Sequence, residues 1–124
     1  MSVRPLAARL VALIALAALP LHAQQLYQNL GDHRYAVTTK NPEAQRYFDQ
    51  GLRLTWAFNH PEAVRSFAEG ERIDSSCAMC AWGIAYASGP NINLGMDAEA
   101  GKQAYAAITR AHRLRRPAWC GPSN

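Results

Sequence analysis

Residues 41–73 read NPEAQRYFDQGLRLTWAFNHPEAVRSFAEGERI, and this stretch decides the fold. Asn41 is a preferred helix N-cap, Pro42 is tolerated in a first turn, and Glu43 suits the positive end of a helix dipole. A helix is therefore expected to open at Pro42. Behind it Ala44, Tyr47, Phe48, Gly51, Leu52 and Leu54, continuing to Ala57 and Phe58, recur with a helical rather than an alternating period. Asn59-His60 interrupts that pattern, and Pro61-Glu62 opens a second helix by the same signals. Its Ala63, Phe67, Gly70 and Ile73 lie four, three and three residues apart, which is the spacing of one helix face. Asp74-Ser75-Ser76 ends it.

Downstream, a third helical segment is expected over residues 77–87, stopped by a run dense in breakers, Ser88-Gly89-Pro90-Asn91-Ile92-Asn93-Leu94-Gly95. Asp97 can cap a fourth helix carrying Ala104, Ile108, Ala111 and Leu114, before Pro117 and Gly121-Pro122 close the chain. Upstream, residues 24–40 are polar with scattered aromatics and read as an irregular lead-in. Tyr35 and Val37 alternate with Ala36 and Thr38, which permits a short strand there and no more. Antiparallel helices on short connections give an all-α reading, with a helical module over residues 41–114 and an irregular tail over residues 115–124.

The length of 124 residues excludes two ordinary domains. Residues 1–23 read as a secretion signal. Arg4 and Arg9 precede an apolar run over residues 10–21, and Leu21-His22-Ala23 forms a processing site. That run is too short for a membrane span, which needs roughly 20 residues, and no cysteine near the site could carry a lipid. No stable membrane anchor is therefore expected once the signal is removed. Removal takes two of the 13 Lys and Arg and none of the nine acids, so the formal charge falls from +4 to about +2. Four of the remaining eleven cations, Arg110, Arg113, Arg115 and Arg116, crowd one end, which does not suit a nucleic-acid surface spread over the fold. A periplasmic or secreted location implies an oxidising space, in which the odd set Cys77, Cys80 and Cys120 leaves at least one thiol without an intrachain partner.

The spacing also carries a resemblance. With Gly51 set on the helix A glycine of a tetratricopeptide repeat, Tyr47 falls on that repeat's aromatic position and Ala63, Phe67 and Gly70 fall on its three helix B positions. Small residues at these places let the helices approach, and the rings fill the groove between them. The sequence departs from the pattern at Gln50, where leucine is usual, and at Ser75, where proline is usual. A second copy follows, with Trp82-Gly83 in helix A and Ala104, Ile108 and Ala111 in helix B. Gly51 precedes Ala63 by 12 residues and Gly83 precedes Ala104 by 21, so the second copy carries an inserted loop. Over residues 30–114 the chain resembles longer bacterial exported tetratricopeptide-repeat proteins. The resemblance implies an α-solenoid of about two repeats that binds a protein or peptide partner and is not an enzyme. Because solenoids normally need three repeats, it also implies a truncated member of the family, or self-association through the open end.

The sharpest local motif is Cys77-x-x-Cys80. Three readings of it stay open: a structural disulfide, buried unpaired thiols, or a metal or redox pair. Ser75 or Ser76 could cap the helix and put Cys77 in its first turn, where the helix dipole lowers a thiol pKa. The usual companions of haem, zinc and thioredoxin-like sites are missing. No His follows at Ala81, no second ligand pair is spaced for zinc, and no βαβ context surrounds the motif. In the metal reading, His60 joins Cys77 and Cys80, with Met79 or Met96, in a soft site for copper or zinc; His33 and His112 are weaker candidates. Trp56, Asn91 and Asn93 are the partner-binding candidates, while Tyr47, Phe48, Phe58 and Phe67 read mainly as core. No phosphate loop, nucleophile elbow or His-Glu-x-x-His pair occurs. Glu43, Asp49, Glu69 and Glu71 read as ordinary helix-surface carboxylates, so no residue takes a catalytic role and no cofactor is expected outside the metal reading.

Overall fold

The computed structural model describes residues 24–115, and the expected signal sequence and nearly all of the tail, Cys120 included, lie outside them. Four helices follow one another: α1 (Pro42–Trp56), α2 (His60–Ile73), α3 (Ala78–Ser88) and α4 (Ala98–Leu114). No strand occurs among the described residues; the only pairing of that kind is an isolated bridge between Asn91 and Leu94. The architecture is all-α and helical-repeat-like.

The caps explain where the helices begin. The Asn41 side chain accepts from the N–H groups of Glu43 and Ala44, and Asp97 accepts from that of Ala100. Both satisfy amides that have no partner within a helix. At α3 the expectation fails, because Cys77 and not Ser75 or Ser76 is the N-cap, and its sulfur accepts from the Cys80 N–H. Ser76 instead donates both its N–H and its hydroxyl to Asp74, which closes the turn before the cap. His60 is likewise the first residue of α2 and not part of the turn.

α1 ends in a Schellman arrangement. The Phe58 N–H donates to the Thr55 carbonyl at 3.0 Å and the Asn59 N–H to the Leu54 carbonyl at 2.9 Å. This closure requires a left-handed residue, and Phe58 takes it with φ 60° where glycine is usual.

Packing runs in chain order, α1 on α2, α2 on α3 and α3 on α4, with α1 also touching α3. The ring of Phe67 lies at the centre, fully buried at 0% exposure. Gly51 of α1 meets the ring on one side, where a Cβ would sit 2.7 Å from it, and Gly83 of α3 meets it so closely that a Cβ would collide. Gly70 fits between Cys80 Sγ and the Ala44 carbonyl, 3.0 and 3.3 Å from where its Cβ would lie. The small residues therefore admit the aromatic ring from two neighbouring helices. Phe48 completes the centre, its ring 5.5 Å from that of Phe67.

The second pair departs from expectation on one face. Ala107 and Ala111 are buried against α3, whereas Ile108 is 42% exposed and Ala104 only half-buried. The periodicity placed Ile108 inward, but α4 has α3 on one side and, among the described residues, no helix on the other. Arg110 ties α4 back to α2 through Glu71, its Nε and Nη2 at 2.8 and 3.0 Å from the two carboxylate oxygens.

Candidate functional site

Cys77 and Cys80 form a disulfide, and both residues are fully buried between α2 and α3. Of the three readings left open by the sequence, this is the one the geometry realises. Their sulfurs do not gather with His60: no group of three or more His, Cys, Asp or Glu side chains suited to a metal occurs among the described residues. Met79 packs against the core and Met96 is exposed. Both ring nitrogens of His60 are buried without a hydrogen-bond partner among the described residues. Its ring meets that of Phe58 edge-on at 6.1 Å.

The partner-binding candidates divide. Asn91 Oδ1 accepts from the N–H groups of Asn93 and Leu94 at 2.9 and 3.1 Å, so the Asn91 side chain shapes its own loop. Asn93 is exposed, flanked by the exposed apolar side chains of Ile92 and Leu94. Trp56 is exposed at the end of α1, its ring 4.6 Å from that of His33 in the lead-in.

The lead-in has no helix or strand, yet it is strapped to α1 and the start of α2. Gln50 holds one end: its Nε2 donates to the Gln25 carbonyl at 2.8 Å and its Oε1 accepts from the Tyr27 N–H at 2.7 Å. Gln45 repeats the grip farther along. Its Nε2 donates to the Tyr35 carbonyl at 2.9 Å and its Oε1 accepts from the Val37 N–H at 3.0 Å. Between them Asp49 accepts from the Tyr35 N–H at 3.1 Å and from Arg34 Nε at 3.3 Å, and Arg53 Nε donates to the His33 carbonyl at 2.7 Å. The Tyr47 hydroxyl donates to the Gln24 carbonyl. On α2, Glu62 accepts from Gln24, from the Tyr27 hydroxyl and from Arg65. The hydrogen bond from Arg65, ahead of those from Gln24 and Tyr27, holds the Glu62 carboxyl below its ordinary pKa.

Asp49 is consequently 3% exposed, not a surface carboxylate as the sequence suggested. Neither it nor the two glutamines carry a periodic signal. The one available hint was Gln50, a polar residue where the repeat pattern calls for leucine. Buried there, it also donates to Ser66 Oγ on α2 at 3.0 Å, so its carboxamide is satisfied by the strap and by the neighbouring helix.

A third surface is the outer face of α4. Tyr105 is 75% exposed, Ile108 follows about one turn later, and Met96 lies against Gly101 near the start of the helix. On α3, Trp82 and the exposed Tyr86 stack with centroids 4.9 Å apart. No helix among the described residues is long and apolar enough to cross a membrane. Compared with known proteins, the chain matches no family model, no curated protein and no solved structure.

Proposed function

We propose that this chain is a non-catalytic, protein-binding helical-repeat module of the tetratricopeptide kind, acting in the periplasm or outside the cell. The observation that carries the reading is the contrast between Phe67 and Ile108. They stand at equivalent places in two helix pairs of similar spacing, and Phe67 is fully buried between helices on both sides while Ile108 has one side uncovered. A helix face that repeats a buried seam and stays open is a docking surface by shape and by chemistry. The repeat also specifies the occupant. Glycines cross Phe67 from α1 and α3, so the partner is an amphipathic helix that brings a glycine or alanine to Ile108. The disulfide supports the exported compartment, because paired thiols persist where the surroundings oxidise.

The test is a photo-crosslinking residue at position 105 of the full chain, expressed with its export signal. An adduct mapping to a glycine or alanine on a partner helix, and lost on Ile108→Lys, supports the reading. An adduct indifferent to Ile108→Lys, or none at all, overturns it.

A further inference from the structure

The two glutamine grips on α1 share a pattern that packing alone does not require. Each carboxamide takes the carbonyl of one residue and the N–H of the residue two further on, 25 with 27 at Gln50 and 35 with 37 at Gln45. Those are the two groups that an extended chain turns to the same edge and offers to a neighbouring strand. A carboxamide has the same donor and acceptor as a peptide group, so each glutamine stands in for one unit of that strand. Asp49 adds a side-chain acceptor for the Tyr35 N–H, and Arg53 a side-chain donor to the His33 carbonyl. Contacts of this kind read backbone, and they are indifferent to most side chains.

Besides these grips the segment is held at its start by Glu62 and Tyr47 and at His33 by the Trp56 ring, and its apolar packing is sparse. Of its side chains only Leu30 and Val37 pack against the core, and most of its residues are exposed. A space of about 430 Å³ remains between strap and helix, bordered by Leu26, Gly31, Arg34, Arg46 and Arg53. Segments without regular structure and with few buried apolar contacts are drawn from the low-stability end of a fold, where local opening costs least.

We propose that the α1 face is a main-chain-reading peptide site, held in cis by residues 24–37, and that an extended segment of another polypeptide occupies it when they leave. The charge pattern narrows the partner. Among the described residues, Arg34 with the buried Asp49 is the only ion pair between strap and α1, so the incoming segment carries a basic residue at that register. This site is separate from the α4 face and does not depend on it.

The probe is a synthetic peptide with the sequence of residues 24–39, added to the full chain. A tethered segment competes at an effective concentration of the order of millimolar, so the wild-type chain takes up peptide only in that range. Tyr35→Pro with Val37→Pro removes two of the strap's three main-chain amide donors to α1, keeping that of Tyr27, and leaves Gln45, Asp49 and Gln50 intact. With two main-chain hydrogen bonds lost in cis, the peptide is expected to bind this variant at least tenfold more tightly. N-methylation of the peptide at the places of Tyr27, Tyr35 and Val37 is expected to weaken it at least tenfold. Equal binding to variant and wild type, or no effect of N-methylation, overturns the proposal.

Should the double-proline variant lose its helical circular dichroism, the wild-type chain decides. With several millimolar unlabelled peptide, the amide resonances of Tyr27, Tyr35 and Val37 in the labelled chain should move to their free positions; unmoved resonances overturn the proposal. Ile108→Lys should change none of these results, so failure here is distinguishable from failure of the proposal that the Ile108 face of α4 docks a partner helix.

Discussion

The two helix pairs apply one spacing to opposite ends. In the first, Phe67 is caught between Gly51 and Gly83, the disulfide lies alongside, and the lead-in seals the far face of α1. In the second, Ala107 and Ala111 face α3 while Ile108 and Tyr105 face outward. The core is thus concentrated at the joint between the pairs, where α2 has helices on both sides. A large residue can be buried only where two neighbours supply small ones, and α4 has a single such neighbour. The same helix period therefore builds a core residue in one pair and leaves an uncovered apolar face in the other.

The strongest way to break the comparison is Phe67→Ala. Removing a fully buried ring packed against two neighbouring helices should cost about 3–5 kcal/mol. Stabilities of domains are of the order of 5–15 kcal/mol, so thermal denaturation should show a large fraction of the stability gone in both pairs together. Gly83→Ala approaches the same joint from the other side, since its Cβ collides with the ring. Combining it with Phe67→Leu should recover part of the loss, because the two positions share one space. Recovery of nothing would mean that the ring is not what joins the pairs.

The disulfide lies beside the same joint and covalently closes the first turn of α3. Cys77→Ser with Cys80→Ser keeps an oxygen at the N-cap, able to accept from the residue 80 amide as sulfur does, and removes only the link. For so short a loop the expected cost is about 2 kcal/mol by chain entropy. Equilibrium unfolding in urea, with and without reductant, checks it: reductant should lower wild-type stability to that of the variant and leave the variant unchanged.

The legible part of this fold was local. Asn41 and Asp97 announce their helices because cap chemistry is carried by a single side chain. Phe67 announces the core because its neighbours at four and three residues are small. Cys77 was misassigned because serine is the commoner cap, and only the closure of Asp74 by Ser76 shows why the helix starts one residue later. The strap was invisible, since Gln45, Asp49 and Arg53 bond backbone far away in sequence and such pairings leave no period. Ile108 looked buried because a helix wheel shows which residues share a face and not whether anything covers it.

A smaller effect sharpens the comparison at the helix ends. Phe58 adopts a left-handed conformation that glycine adopts without cost, whereas Gly89, closing α3, has φ −71° and needs no such freedom. Phe58→Gly should stabilise the chain by about 1 kcal/mol, the left-handed cost being roughly 1–2 kcal/mol for a residue with a Cβ. The loss of the edge contact with His60 reduces the gain. A rise of roughly 4–8 °C in melting temperature is the expected reading for a domain of this size. No rise would mean that the Phe58 ring contributes as much as its backbone costs.

The smallest expected change is on the open pair, and it is the most informative about use. Ile108→Lys replaces a half-exposed side chain whose outer side meets no helix among the described residues. A surface substitution of this kind usually falls within about 0.5 kcal/mol of neutral. Lysine can lay its methylene stem along α3 while its ammonium stays in water. The melting curve should therefore scarcely move, in contrast with the collapse expected for Phe67→Ala at the equivalent place. A loss of several kcal/mol would mean that Ile108 belongs to a core this face does not reveal. Near-neutral stability together with lost crosslinking at position 105 would give the two equivalent residues different roles, Phe67 holding the helices together and Ile108 holding a partner.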